Sequence, residues 1–167
     1  MNRRGQFFSP DMAIAVLLLL AIIVFFSLSF DYIKNRVSFF DDRRMMDESS
    51  HAVMNSLVYS IGDPKDWEEY SSLADINSIG LAEGASFLSE KKVRNFFSFL
   101  DSNYAGVKDM LALGRNDFFM ELVDFNGEVI DSAGVIASDY SVKSAYSRIV
   151  FYNNRQCTLR GVFSYAE

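Results

Sequence analysis

From Met12 to Phe30, nineteen consecutive residues carry no charge. At about 1.5 Å per residue a helix over that run covers roughly 28 Å, close to the hydrocarbon thickness of a bilayer. Ser9 suits the N-cap and Pro10 the first helical position, and Asp11 sets a negative charge at the positive end of the helix. Past Asp31 the apolar positions Ile33, Val37 and Phe40 follow Phe30 in steps of three and four, and Met46, Val53 and Leu57 extend the pattern across a more polar stretch. Gly62 and Pro64 stop it. One helix from Pro10 to about Ile61 is expected, roughly 78 Å long. Two helices broken near Asp41-Asp42-Arg43-Arg44 are the alternative.

The middle of the chain is irregular around Trp67 and Ile79-Gly80. Ser89 then opens a helix with Val93, Phe96, Phe97 and Leu100 on one side. A shorter helix, Tyr104 to Leu113, presents Val107, Met110, Leu111 and Leu113 and is closed by Gly114. From Phe118 the period becomes two: Phe118, Met120 and Leu122 alternate with Phe119, Glu121 and Val123, and Asn126-Gly127 reads as a two-residue hairpin turn. A second pair, Tyr146 to Tyr152 and Arg155 to Tyr165, is joined by Asn153-Asn154, both tolerant of positive φ. The fold class is α+β: a long N-terminal helix, short helices and a C-terminal antiparallel β-sheet.

Composition narrows the class. Half of the 167 residues are apolar and 15% aromatic, which demands a packed core. The net charge of −6 includes no basic cluster of the kind that displaces counterions from phosphates, so no nucleic acid is expected as a partner. The single cysteine, Cys157, excludes an intramolecular disulfide and reads as a small half-buried strand residue.

Arg3 and Arg4 precede the apolar run, whereas the residues after it mix signs. The positive-inside rule therefore keeps the N-terminus cytoplasmic and sends everything beyond Phe30 outside. The string Arg3-Arg4-Gly5, then Gln6 and the apolar helix, resembles the archaeal type IV pilin-like and archaellin-like proteins with class III signal sequences. The resemblance implies that a prepilin peptidase cuts between Gly5 and Gln6, leaving the helix on the mature protein. It also implies an acid near the new N-terminus that contacts a neighbouring subunit. Asp11 fills that role one position later than the family's Gln-x-Ser-x-Glu pattern. Loss of residues 1–5 removes two positive charges and leaves a more acidic protein. Weaker likenesses run through Pro64-x-x-Trp67, Ile79-Gly80-Leu81-Ala82, Leu111-Ala112-Leu113-Gly114 with Asp117-Phe118, and Arg148-Ile149-Val150-Phe151-Tyr152. On this reading residues 1–5 are the leader, 6–30 the transmembrane and assembly helix, 31–62 its continuation and 63–167 an extracytoplasmic α+β head. Val16, Leu17, Leu20, Ile23, Val24, Phe26 and Phe30 provide the surface of the membrane and assembly helix. An uncleaved signal anchor, or a secretory signal peptide cut at Ser27-Leu28-Ser29, competes with it.

Candidate chemistry is sparse. His51, the only histidine, stands four residues after Asp47, a spacing that permits contact on a helix, but one histidine makes neither a metal cluster nor a triad. Asp124-x-Asn126-Gly127 partly matches a calcium loop, yet alignment on its glycine leaves Leu122 and Ala133 at two ligand positions, and the hairpin accounts for it without a metal. No Gly-rich phosphate loop, nucleophile elbow or cysteine-pair metal motif occurs. No cofactor, no metal and no catalysis are expected. The expected function is that of a pilin-like structural subunit or minor pilin of an archaeal surface filament, self-associating through the N-terminal helix. The alternative is a membrane-anchored extracellular binding or adhesin domain.

Overall fold

The computed structural model of the chain describes residues 10–84, 86–135 and 142–165. Two compact units divide it, Met1–Asp42 and Arg43–Glu167. Helix α1, Pro10–Tyr59, begins in the first and ends in the second, with no break in its helical backbone near Asp41 to Arg44.

In the first unit, Pro10–Lys34 is a 25-residue stretch with a mean hydropathy of 3.0, long and apolar enough to cross a membrane. None of its most apolar 18-residue window is buried in the protein. Ser29 Oγ donates to the Phe25 carbonyl at 2.8 Å, so the polar hydroxyl is satisfied within the helix.

In the second unit, the last turns of α1 place Met46, Ser50, Val53, Met54, Leu57 and Val58 in the core. This is a stripe with helical spacing, of which Met46, Val53 and Leu57 are legible as apolar positions. Two short helices add to the core: α2 (Glu90–Ser102) buries Val93, Phe96, Phe97 and Leu100, and α3 (Tyr104–Met110) buries Val107. Ser89 is the N-cap of α2, as its position suggests.

Six strands form one sheet in the order β1-β2-β5-β6-β3-β4. They are β1 (Ala82–Gly84), β2 (Phe87–Leu88), β3 (Asp117–Asp124), β4 (Val129–Gly134), β5 (Val142–Tyr152) and β6 (Arg155–Tyr165). The four longer strands pair antiparallel, as their period of two and their turns imply. β2 pairs parallel with β5, Phe87 opposite Phe151, which makes the sheet mixed. On the inward face Phe118, Met120 and Leu122 of β3 meet Cys157, Leu159 and Phe163 of β6. A Cβ at Gly161 would lie 2.9 Å from the sulfurs of both Met54 and Met120, so a side chain there requires these methionines to shift.

Two turns differ from expectation. The β3–β4 connection is not a two-residue turn. Gly127 N–H donates to the Asp124 carbonyl, Asp124 N–H donates to the Glu128 carbonyl, and among these loop residues Gly127 has positive φ, +90°. That is a type I turn closed by a glycine bulge. The Asp124 carboxylate holds it by accepting from the N–H groups of Asn126 and Glu128, both at 2.8 Å. Helix α3 ends at Met110 rather than Leu113, and Ala112, not Gly114, is its left-handed closing residue, with φ +52°. Leu113 N–H bonds to the Lys108 carbonyl and Ala112 N–H to that of Asp109, the paired bonds of a Schellman motif. Gly114 is also left-handed, at φ +55°, and lies outside the helix. The β5–β6 turn is as expected: Asn153 and Asn154 stand at φ 49° and 59° between Tyr152 and Arg155.

Candidate functional site

The residues expected to carry assembly fall in the first unit. Asp11 sits in the first turn of α1 and is exposed. Gly5 and Gln6, the expected processing position, lie outside the described residues, as does Ser9. Val16, Leu17, Leu20, Ile23, Val24, Phe26 and Phe30 are all exposed, from 46% at Val16 to 68% at Phe30. Leu17, Leu18, Leu19 and Leu20 follow one another at about 100° per residue, so the exposed apolar surface encircles the helix instead of forming one stripe. Such a helix is stable only where apolar matter surrounds it on every side.

In the second unit the candidate chemical residues resolve into structural roles. His51 does not rely on Asp47: Asn55 Nδ2 donates to its Nδ1 at 3.2 Å, and its ring meets Tyr146 edge-on at 6.1 Å. Asp47 accepts instead from the Ser144 hydroxyl, while its carbonyl receives the Tyr146 hydroxyl at 3.3 Å. Arg148 reaches across and donates to the Asn55 side-chain oxygen, Oδ1, at 3.1 Å. These contacts tie α1 to β5. Burial pushes the Tyr146 hydroxyl above its ordinary range, and the nearby Asp47 charge adds to the effect.

Asp124 spends its carboxylate on the hairpin. Chiefly the Glu128 N–H holds it below the usual carboxylate range, against a smaller desolvation effect. Cys157 is buried rather than half-buried, and burial raises its thiol, so little nucleophilic thiolate forms there. Among the described residues no three His, Cys, Asp or Glu side chains gather to hold a metal ion.

Between the end of α1 and the start of α2, the loop doubles back on itself. Asp63 and Ser78 pair through their backbones, Trp67 is fully buried, and its indole N–H donates to the Gly80 carbonyl at 2.8 Å. The one-turn 3-10 helix Trp67–Glu69 thereby fixes Glu68 beside α2. A cleft of about 690 Å³ opens there, lined by Lys65, Asp66, Glu68, Glu83, Ser89 and Lys92 with Ile61 and Ala82. The Lys92 ammonium donates to the Ile61 carbonyl at 2.6 Å and stands 4.0 Å from Glu68 Oε2. The signal in the sequence was Lys92 itself, a charged residue one turn ahead of Phe96 on the buried side of α2. Glu68, 24 positions earlier, gave none.

No protein-family model matches the chain, and neither a curated protein nor a solved structure is significantly similar to it.

Proposed function

We propose that the protein is a type IV pilin-like subunit, major or minor, of an archaeal surface filament or a related assembly system. In this reading the leader is removed between Gly5 and Gln6, and the apolar part of α1 is held first by lipid and then by the same helix of neighbouring subunits. The observation that carries it is the 25-residue span Pro10–Lys34, apolar on all sides and buried nowhere within the chain. Packing between helices replaces lipid contacts of similar polarity, so transfer from bilayer to filament depends on close van der Waals fit rather than on escape from water. Arg3 and Arg4 before the span favour a cytoplasmic N-terminus, with the head outside.

The test is the intact mass and the first residue of the protein isolated from host membranes, with and without active prepilin peptidase. A peptidase-dependent start at Gln6 supports the reading. A start at Met1 indicates a signal anchor and one near Phe30 a released domain, and either sinks it. The second reading, a membrane-anchored binding module, draws support from the polar cleft of the head.

A further inference from the structure

On the face of the sheet turned away from the core, Phe87, Ile149 and Phe151 are exposed at 51%, 64% and 40%. The rings of Phe87 and Phe151 stack at 5.1 Å, so this is a joined apolar surface rather than scattered side chains. The β5–β6 hairpin that carries it is basic. Residues 142–165 include Lys143, Arg148, Arg155 and Arg160 and no carboxylate, in a chain whose net charge is −6. Arg148 turns inward to Asn55, and Arg160 stands 3.4 Å from Glu121 of β3. Lys143 and Arg155, near opposite ends of the hairpin, are exposed. A surface of the opposite sign follows α1. In residues 63–75 Lys65 is the single cation among five carboxylates, of which Asp66, Glu69 and Asp75 are exposed and neither bond to Asn77, as Asp63 does, nor pair with Lys92, as Glu68 does. Asp66 and Glu69 are three positions apart on a 3-10 turn and so project to one side. Apolar area accompanies them: Tyr70 is exposed next to Glu69, and Ile61, also exposed, shares a cleft wall with Asp66. The loop packs on α2, where Trp67 lies 6.3 Å from Phe99. That is the side of the sheet opposite Phe151, so the two surfaces of one head cannot meet each other.

We propose that the outer face of the β5–β6 hairpin docks on the acidic loop of a second copy of this chain, apolar centre on apolar centre, with Lys143 and Arg155 turned toward Asp66 and Glu69. Because two different surfaces meet, the contact is heterologous and repeats from copy to copy, which suits a filament rather than a closed pair. The inference rests on the filament reading and adds to it a contact between heads. Opposite charges set the register and speed the encounter, and the apolar centre supplies the buried area.

Full-length protein in an uncharged detergent is followed by sedimentation at low and high salt, as wild type, as Lys143→Glu with Arg155→Glu, and as Asp66→Lys with Glu69→Lys. The wild type is expected to self-associate at low salt and to dissociate as salt screens the charges. Each double variant alone should associate about tenfold more weakly or worse. An equal mixture of the two should regain association, because each reversed surface then faces one of opposite sign on the other protein. If a double variant fails to fold, Lys143→Glu, Glu69→Lys and the salt dependence of the wild type decide. A wild type that is monomeric at both salts, or a mixture that stays dissociated, overturns the proposal. So does association that both variants keep, which is the signature of contact through α1 alone. The first residue of the protein from host membranes separates the two readings: a start at Gln6 with heads that do not associate removes this contact and leaves the filament reading, whereas a start at Met1 with heads that do associate reverses that outcome.

Discussion

Replacing Gly80 by alanine tests the crossing that builds the head. A Cβ at Gly80 would lie 2.2 Å from the Ser60 carbonyl oxygen, and 2.5 Å from both the Ser60 carbonyl carbon and the Gly62 nitrogen. All three are backbone atoms, so no rotamer change relieves the clash, and the segment entering β1 must move away from the end of α1. That movement strains the bond from Ala82 N–H to the Ser60 carbonyl and the one from the Trp67 indole to the Gly80 carbonyl. Overpacking of this kind costs about 1–3 kcal/mol, and one weakened buried hydrogen bond adds about 1 kcal/mol. The expected loss of about 3 kcal/mol is a large part of the stability of a domain and lowers Tm by roughly 10 °C for a unit of this size. Thermal melts of the full chain in micelles, followed by Trp67 fluorescence, measure it. Gly84→Ala is the control, because nothing lies within 4 Å of a Cβ there. If Gly80→Ala melts with the wild type, or if both variants fall equally, the close crossing does not exist as described.

Ala112→Gly should stabilise the head by about 0.5–1 kcal/mol in urea unfolding, because glycine relieves the left-handed strain at φ +52° and gives back part of the gain as unfolded-chain entropy. Asp131 is raised above its ordinary range, mainly by burial and further by the charge of Asp101. The folded state therefore binds its proton more tightly than the unfolded state does. This contribution to stability is fully present below the unfolded value and is lost as pH rises through the folded one. Asp131→Asn should accordingly raise Tm at neutral pH and make no difference in strong acid, and a lower Tm at pH 7 would refute the burial argument. Cys157, buried and with its thiol raised, should react with a neutral alkylating reagent only as fast as the head opens, so that mild urea accelerates labelling in step with unfolding. Labelling at the rate of a free thiol in native buffer would contradict the burial.

The parts of this fold legible in the sequence are those specified by neighbours in the chain. The apolar run, the stripe through Leu57, the Ser89 cap and the Asn153-Asn154 turn each depend on residues within a turn or two, and each stands where the pattern puts it. The parts that escaped depend on partners far away. β1 and β2 have three and two residues, too few for any period, and β2 joins the main sheet because Phe151, 64 positions later, lies beside Phe87. Glycine statistics point to Gly114 as the end of α3, but the capping bonds close around Ala112 instead. The cleft escaped for the same reason as β2, since Glu68 and Lys92 meet only after the loop through Trp67 has folded back.

The strand order has a consequence for biogenesis. β6, the last strand in chain order, lies inside the sheet between β5 and β3, in register with both along most of its length. Until residues 155–165 are available, β3 and β5 each lack the neighbour that joins them in the sheet. The sheet cannot close strand by strand in chain order; it waits for the final segment and then closes on both sides of it. A truncation before Arg155 should therefore yield an aggregating or degraded product rather than a smaller domain.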